Sequence, residues 1–207
     1  YNGVDFVKTY KIHLIRHGLT DGNLRGCYIG NRTDLPLCPE GIKELKDLRE
    51  NIDYPDIEAL YSGPLLRCRQ SGAVIYPGFE PVIIDELTEY DFGKFEGKTA
   101  SQLESDPDYI DWASGKLEAP LGGETTQNFI KRIALGFNMA VRDMMDKGIT
   151  NSAVIMHGGA IMMFLAASAV PRKKSVEWSC GSGRGFSVMV TPSLYHSSGI
   201  VEVYDYI

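Results

Sequence analysis

The sequence has no run of lysines and arginines, no Cys-x-x-Cys pair and no apolar stretch of membrane-spanning length. Each absence removes a class of function. A nucleic-acid binder needs a basic face to displace counterions from phosphates, yet this chain carries 27 acidic against 21 basic residues, a net charge of −6. Its four cysteines, at 27, 38, 68 and 180, lack the close Cys/His spacings of structural zinc and read as small buried hydrophobes, not ligands or disulfide halves. The longest apolar stretch, near Ala160–Val170, is too short to cross a bilayer, and the N-terminus has no apolar signal core. A reduced, cytoplasmic protein with neither a membrane nor a nucleic-acid partner is expected. The chain begins with Tyr1 instead of Met, and its first few residues are read as a processed or added end. No repeat, low-complexity tract or linker divides the 207 residues, so a single domain over 1–207 is expected.

What is present fits a packed globular domain: 43% hydrophobic residues are enough for a sizeable core. The acidic excess is local. Asp85 to Glu118 holds ten acids against three lysines, a net of −7, and the rest of the chain nets +1. Tyr10–Arg16 is β-rich and stops at His17-Gly18, which reads as a strand entering a glycine turn. Pro39–Ile52 has apolar residues at helical spacing, Ile57–Tyr61 and Pro81–Ile84 read as strands, and Leu65–Ile75 reads as a helix. Thr125 or Thr126 caps a long helix in which Phe129, Ile133, Phe137 and Val141 recur every four residues until Gly148. Ser152–Met156 is a second strand that ends in histidine and glycine, followed by a buried helix over Ala160–Val170 stopped by Pro171. Gly185–Thr191 and Ile200–Tyr206 complete the chain as strands. Alternating strands and helices predict an α/β fold: a mostly parallel central sheet with helices on both faces.

Ligands of open α/β sheets bind beyond the carboxyl ends of the strands, where this reading puts His17 and His157. Arg16 adjoins the first, and Gly158-Gly159 leave free N–H groups at a helix N-terminus. Two imidazoles, a guanidinium and a helix N-terminus suit a phosphate dianion.

These residues carry a resemblance. Arg16-His17-Gly18-Leu19-Thr20-Asp21-Gly22-Asn23 resembles the R-H-G-x-T-x-x-N signature of the histidine phosphatase superfamily, in the branch that holds the cofactor-dependent phosphoglycerate mutases. Further stretches resemble it in order: Gly30–Leu37, Ser62–Gln70, Leu87–Gly93, Gly122-Gly123-Glu124-Thr125 and Met156-His157-Gly158-Gly159. The resemblance implies a phosphoglycerate mutase-like fold and a small phosphorylated substrate. It implies that His17 is a nucleophile forming a phosphohistidine, and that Arg16, Arg67 and His157, with Asn23 and Gly158, hold the transferring phosphoryl group. Glu89 takes the role of the acid that protonates the leaving alkoxide and then deprotonates water. Neither a metal nor a cofactor is implied.

Bland readings suit other residues. His13 lies mid-strand and His196 in a polar loop. Gly181–Gly185 is a loop without nucleotide-binding spacing, in which Arg184 is a weaker candidate for facing substrate. Cys38 stands where relatives have Ser or Thr before the helix, and a thiol caps poorly, at a cost on the order of 1 kcal/mol. A mutase holds its acidic substrate with extra basic residues in a longer insertion. Here the lid-like insertion at about 92–121 is short, acidic and free of arginine, with only Lys94, Lys98 and Lys116. That departure favours a phosphatase with a neutral or partly cationic leaving group, the mutase being the alternative. Asp106–Trp112 reads as a lid helix offering Tyr109 or Trp112 to the leaving group. The Asp91–Gly97 stretch and the Gly183–Gly185 loop are similar to α-ribazole phosphatase-like members. A silent phosphate-binding protein would lack one of the site residues, and none is missing. No oligomeric state is assigned.

Overall fold

Strand β1 (Tyr10–Arg16) is buried along almost its whole length, because both of its faces are covered. Ile12 and Leu14 point into one apolar layer, while Ile15 points into the other. The same alternation recurs in its parallel neighbour β4 (Asn151–Met156), where Val154 and Met156 face the first layer and Ala153 and Ile155 the second. A period of two along a strand with helices on both sides turns such runs into two cores at once.

The computed structural model describes residues 8–207, and the processed or added end expected at the N-terminus lies outside them. After β1 come a short α1 (Asp21–Leu24) and α2 (Pro39–Asn51), then β2 (Ala59–Ser62), α3 (Leu66–Ile75) and β3 (Val82–Ile83). The acidic segment holds two short helices, α4 (Ala100–Leu103) and α5 (Pro107–Ala113), before the long α6 (Thr126–Lys147) leads to β4. The chain ends with α7 (Gly158–Ser168), β5 (Ala169–Val170), β6 (Gly185–Val190), α8 (Pro192–Ser198) and β7 (Val201–Tyr206). The seven strands lie in the order β3-β2-β4-β1-β6-β7-β5, and β6 alone runs against the others. The expected α/β architecture is the observed one.

Leu45 of α2 and Cys68 and Ile75 of α3 cover one face of the sheet; the apolar stripes of α6 and α7 cover the other. The α6 stripe is the Phe129-Ile133-Phe137-Val141 series, capped at its start by Thr125 accepting from the Asn128 N–H and ended by Gly148 at φ 71°. That left-handed turn costs glycine nothing and a Cβ-bearing residue one or two kcal/mol, about, which fixes where the helix stops. From β1 the chain passes toward β2 on one side of the sheet, and from β4 it passes through α7 to β5 on the opposite edge. β1 and β4 thus flank the point at which the sheet's connections part, where a crevice opens.

Two local readings are corrected. The helix expected through Val170 stops at Ser168, and Ala169–Val170 instead pair with β7. A residue before proline is driven from helical to extended backbone, so Pro171 ends the helix earlier than its apolar composition suggests. His196 lies in α8, not in a loop; this seven-residue helix has no fully buried residue and packs only Tyr195 against the core, and its signals were Pro192 at its start and Gly199 at its end. Cys38 is the N-cap of α2 as expected, its sulfur accepting from the Gly41 N–H over a long 3.4 Å while its thiol donates to the Leu19 carbonyl at the same distance.

Candidate active site

The register of β1 on β4 pairs Arg16 with Met156, so the next residue on each strand is a histidine at the same edge. His17 donates its backbone N–H to the Met156 carbonyl at 3.0 Å, and the two rings meet edge to face with centroids 5.1 Å apart. His17 Nδ1 is 2.6 Å from the Gly18 carbonyl, which can only accept, so Nδ1 carries the proton and Nε2 presents a lone pair. Burial, reinforced by the charges of Arg67 and Arg16 and opposed by the Gly18 carbonyl, lowers the His17 pKa from 6.5 to about 3. The imidazole is therefore neutral at physiological pH.

The turn that holds this ring is tied to α3. Gly18 N–H donates to Ser71 Oγ at 2.8 Å, and the Ser71 hydroxyl donates to the Arg67 carbonyl at 2.7 Å. Arg67 sits in the first turn of α3, almost fully buried, with its two terminal nitrogens donating to the carbonyls of Thr33 and Gly30. Arg16 donates one terminal nitrogen to the Cys180 carbonyl at 2.8 Å. In both guanidinium groups Nε is buried without an acceptor among the described residues. A buried donor of a charged group is expensive to leave unpaired, so each points to an anionic acceptor in the crevice.

His157 is the N-cap of α7 and fully buried, with Cys68 Sγ 3.4 Å from its Nε2. Its pKa is held well below the ordinary value by burial first, then by His17, Arg67, Arg132 and Arg16. Both imidazoles are thus neutral, and the positive charge expected from arginines and histidines together rests on the arginines. Gly158 and Gly159 open α7. A Cβ on Gly158 would stand 3.0 Å from Arg16 Nε, and one on Gly159 2.9 Å from Glu89 Oε1. The missing side chains let a helix N-terminus, with its free N–H groups, press against both.

Glu89 follows a short 3₁₀ turn over Asp85–Leu87 and is buried, accepting from the Tyr90 N–H at 2.9 Å and from the Gly159 N–H. Burial raises its pKa against the opposing pull of the Tyr90 N–H, Arg67, the Gly159 N–H and Arg16. A carboxyl kept protonated closer to neutrality in this way is able to deliver a proton. Asn23 lies on α1, where its side-chain oxygen accepts from the Thr20 N–H and hydroxyl, leaving its NH₂ as the group free to donate. Arg16, His17, Arg67, Glu89, His157 and Gly158 are gathered at one crevice as expected. The charge of Arg184 acts on the Tyr54 hydroxyl, and His13 is satisfied by Ser187 and Asn151.

Two positioning residues escaped the sequence reading. Ser71 is one; Arg132 of α6 is the other. Arg132 donates to the carbonyls of Glu86, Thr88 and Glu89 and pairs with Glu124, whose carboxylate also accepts from the Asp91 N–H. The only sequence signal was its place eight residues after Glu124 of the Gly-Gly-Glu motif. Among the described residues no group of three or more His, Cys, Asp or Glu side chains is arranged to hold a metal ion, and no helix is long and apolar enough to cross a membrane.

Comparison with known proteins agrees with this geometry. A provisionally assigned phosphoserine phosphatase 2 of Hydrogenobacter thermophilus is 28% identical over 156 residues, 73% of this chain and 74% of the relative. An adenosylcobalamin/α-ribazole phosphatase of Salmonella typhimurium is 27% identical over 161 residues, 75% of this chain and 78% of its own. Bisphosphoglycerate-dependent phosphoglycerate mutases are also among the relatives. The crystal structure of an α-ribazole phosphatase from Shigella flexneri superposes with a TM-score of 0.77 at 20% identity, covering 94% of each chain, which establishes the shared fold. The family model of the histidine phosphatase superfamily (branch 1) matches residues 12–181, and the chain belongs to that family.

Proposed function

We propose that the protein is a phosphomonoesterase that acts without a metal or cofactor through a phosphohistidine at His17. The observation that carries this reading is the Nδ1 bond to the Gly18 carbonyl, which leaves Nε2 as the bare nucleophile of a neutral ring. Nε2 attacks phosphorus, the Nε2–P bond forms and the bond to the ester oxygen breaks, while Glu89 gives its proton to the departing alkoxide. In the second half Glu89, now a carboxylate, takes a proton from water, whose oxygen bonds to phosphorus as the Nε2–P bond breaks. Arg16 and Arg67 stabilise the charge on the non-bridging oxygens, with His157, Asn23 and the α7 N-terminus at Gly158 as neutral donors.

Hydrolysis is favoured over mutase transfer by the charges of the insertion. Lys94 is occupied by Asp106 and Asp108, and Lys116 lies 3.3 Å from Asp111, so two of the segment's three lysines are spent on its own acids and Lys98 alone has no acidic partner among the described residues. A second acidic group on a substrate finds little countercharge there. An α-ribazole phosphatase-like substrate fits the same reading.

The test is phosphate release in EDTA from p-nitrophenyl phosphate, sugar phosphates, nucleotides, 3-phosphoglycerate and α-ribazole phosphate, comparing wild type with His17→Ala. Release that disappears in the variant, with a label from phosphate-labelled substrate trapped on His17, supports the proposal. Absence of release, followed by activity in a mutase assay primed with bisphosphoglycerate, replaces it with the mutase reading. Failure of both leaves a phosphate-binding protein.

A further inference from the structure

Beside Glu89 the crevice continues into a recess of about 320 Å³. Its walls are Phe92 and Trp112 from the acidic insertion, Phe129 from α6, and Met162 and Met163 from α7. No lysine, arginine or histidine lines it. Tyr90, whose hydroxyl donates to the Glu124 carbonyl at 2.6 Å, and Thr126 also border the recess. The aromatic wall is braced: Trp112 stacks near Tyr90 and meets Phe92 edge-on, and the Tyr28 and Tyr109 hydroxyls, 2.8 Å apart, tie α5 to the body of the protein. Of the two side chains expected to face the leaving group, Trp112 is therefore placed to do so and Tyr109 is engaged elsewhere.

We infer that this recess receives the leaving group of the substrate and selects an uncharged, apolar one, a single aromatic ring or a short alkyl chain. The inference rests on the hydrolase reading above and deepens it. A general acid must lie within hydrogen-bond reach of the oxygen it protonates. The group attached to that oxygen therefore starts at the Glu89 carboxyl, and the recess opens from the same carboxyl. Its size is at the small end of ligand pockets, which suits one ring system and excludes a dinucleotide or an oligosaccharide. The two thioethers adapt their shape to flat or flexible apolar groups and contact ring edges favourably. A leaving group bearing a carboxylate, as in phosphoserine or phosphoglycerate, would lose its hydration here with no cation to replace it, next to a carboxyl that must ionise during the reaction.

A homologous series separates this selection from intrinsic reactivity, because ethyl, butyl and hexyl phosphates have leaving alcohols of nearly equal acidity. Each fully buried methylene is worth about fourfold in binding, so the four that separate ethyl from hexyl phosphate set a ceiling of about 250-fold, and kcat/KM rises at least about tenfold between them. Pentyl phosphate exceeds 3-carboxypropyl phosphate by at least about tenfold. Met163→Asp, and separately Trp112→Ala, lowers the hexyl-to-ethyl ratio by about tenfold. In parallel, calorimetry compares hexylphosphonate with methylphosphonate, a readout that needs no turnover, and hexylphosphonate binds about tenfold tighter or better. A flat alkyl series, or equal use of the carboxylated ester, overturns the apolar subsite and leaves the hydrolase reading standing. Tighter hexylphosphonate binding without release of phosphate from any ester supports the recess and overturns the hydrolase reading. Equal affinity for the two phosphonates overturns the subsite whatever the turnover.

Discussion

His17→Asn tests the central electrostatic claim through folding stability. In the wild type the imidazole pKa falls from 6.5 to about 3 on folding. A depressed pKa means that the neutral ring's contribution to stability is intact above pH 6.5 and is lost progressively as the pH falls toward 3. At pH 4.5 the unfolded chain has taken up the proton and the folded one has not. Each unit of that gap is about 1.4 kcal/mol, so the native state forgoes roughly 2.7 kcal/mol at pH 4.5. Asparagine does not titrate and escapes the loss. Urea unfolding at pH 7.5 and 4.5 should therefore show the wild type losing about 2–3 kcal/mol relative to His17→Asn between the two conditions. On the thermal scale of a domain this size, at about 2–4 °C per kcal/mol, the relative shift is roughly 5–10 °C. Because His17 is itself one of the causes that lower the His157 pKa, the comparison is repeated in a His157→Asn background, which isolates the His17 share. A difference between the two proteins that stays constant within about 0.5 kcal/mol would refute a buried neutral imidazole and with it the nucleophile's protonation state.

Glu89→Gln should lower kcat by about 10²–10⁴. Because folding raises the Glu89 pKa, the protonated carboxyl's stabilising share is full below about pH 4.5 and is lost as the pH rises through the folded value, so the wild type should lose stability relative to the glutamine variant on going from pH 4 to pH 8; thermal melts at both pH values measure it. Ser71→Ala removes the acceptor of the buried Gly18 N–H and should cost about 1–3 kcal/mol in urea unfolding, with kcat reduced because the His17 turn is no longer tied to α3. Arg132→Met strips the partner from Glu124 and from three carbonyls around Glu89; a loss of about 3 kcal/mol is expected, with kcat falling more than KM rises, since Arg16 and Arg67 still bind the phosphoryl group. Steady-state kinetics in which KM carries the whole effect would place Arg132 in substrate binding instead.

The parts of this molecule that were legible in its sequence are those fixed by local physics. β1 ends at Arg16 because Gly18 follows, and α6 spans Thr126–Lys147 because a threonine cap, a four-residue apolar repeat and Gly148 all agree. The catalytic candidates were legible because each sits in a short motif at the end of a strand or start of a helix. Arg132 was not, since what it does depends on three carbonyls brought to it from a segment about forty residues away. Ser71 was hidden for the same reason: its partner Gly18 lies 53 residues earlier in the chain. α8 carried caps but no apolar stripe, and α7 was overextended because Ala169 and Val170 are as apolar in a strand as in a helix. The recess walls were invisible as a set, since Phe92, Phe129 and Met163 become neighbours only when the insertion folds over α6 and α7.

The protonation states of the site form one consistent scheme under the hydrolase reading. With Glu89 protonated, as that reading requires, two guanidinium groups and two neutral imidazoles give the site a charge of about +2, and a phosphomonoester dianion brings it to zero. Attack by Nε2 turns the ring into a phosphorylated imidazolium with Nδ1 still bonded to Gly18, a unit of charge −1. The proton leaving Glu89 makes a second −1, and the alcohol departs neutral, so the buried site again sums to zero against its two arginines. Neither half-reaction creates net charge in a desolvated space, where an unbalanced ion costs several kcal/mol, about. The scheme works only if His17 starts neutral and Glu89 starts protonated, which are the directions in which burial drives the two groups. Under the hydrolase reading, burial is thus what readies both His17 and Glu89 for transfer.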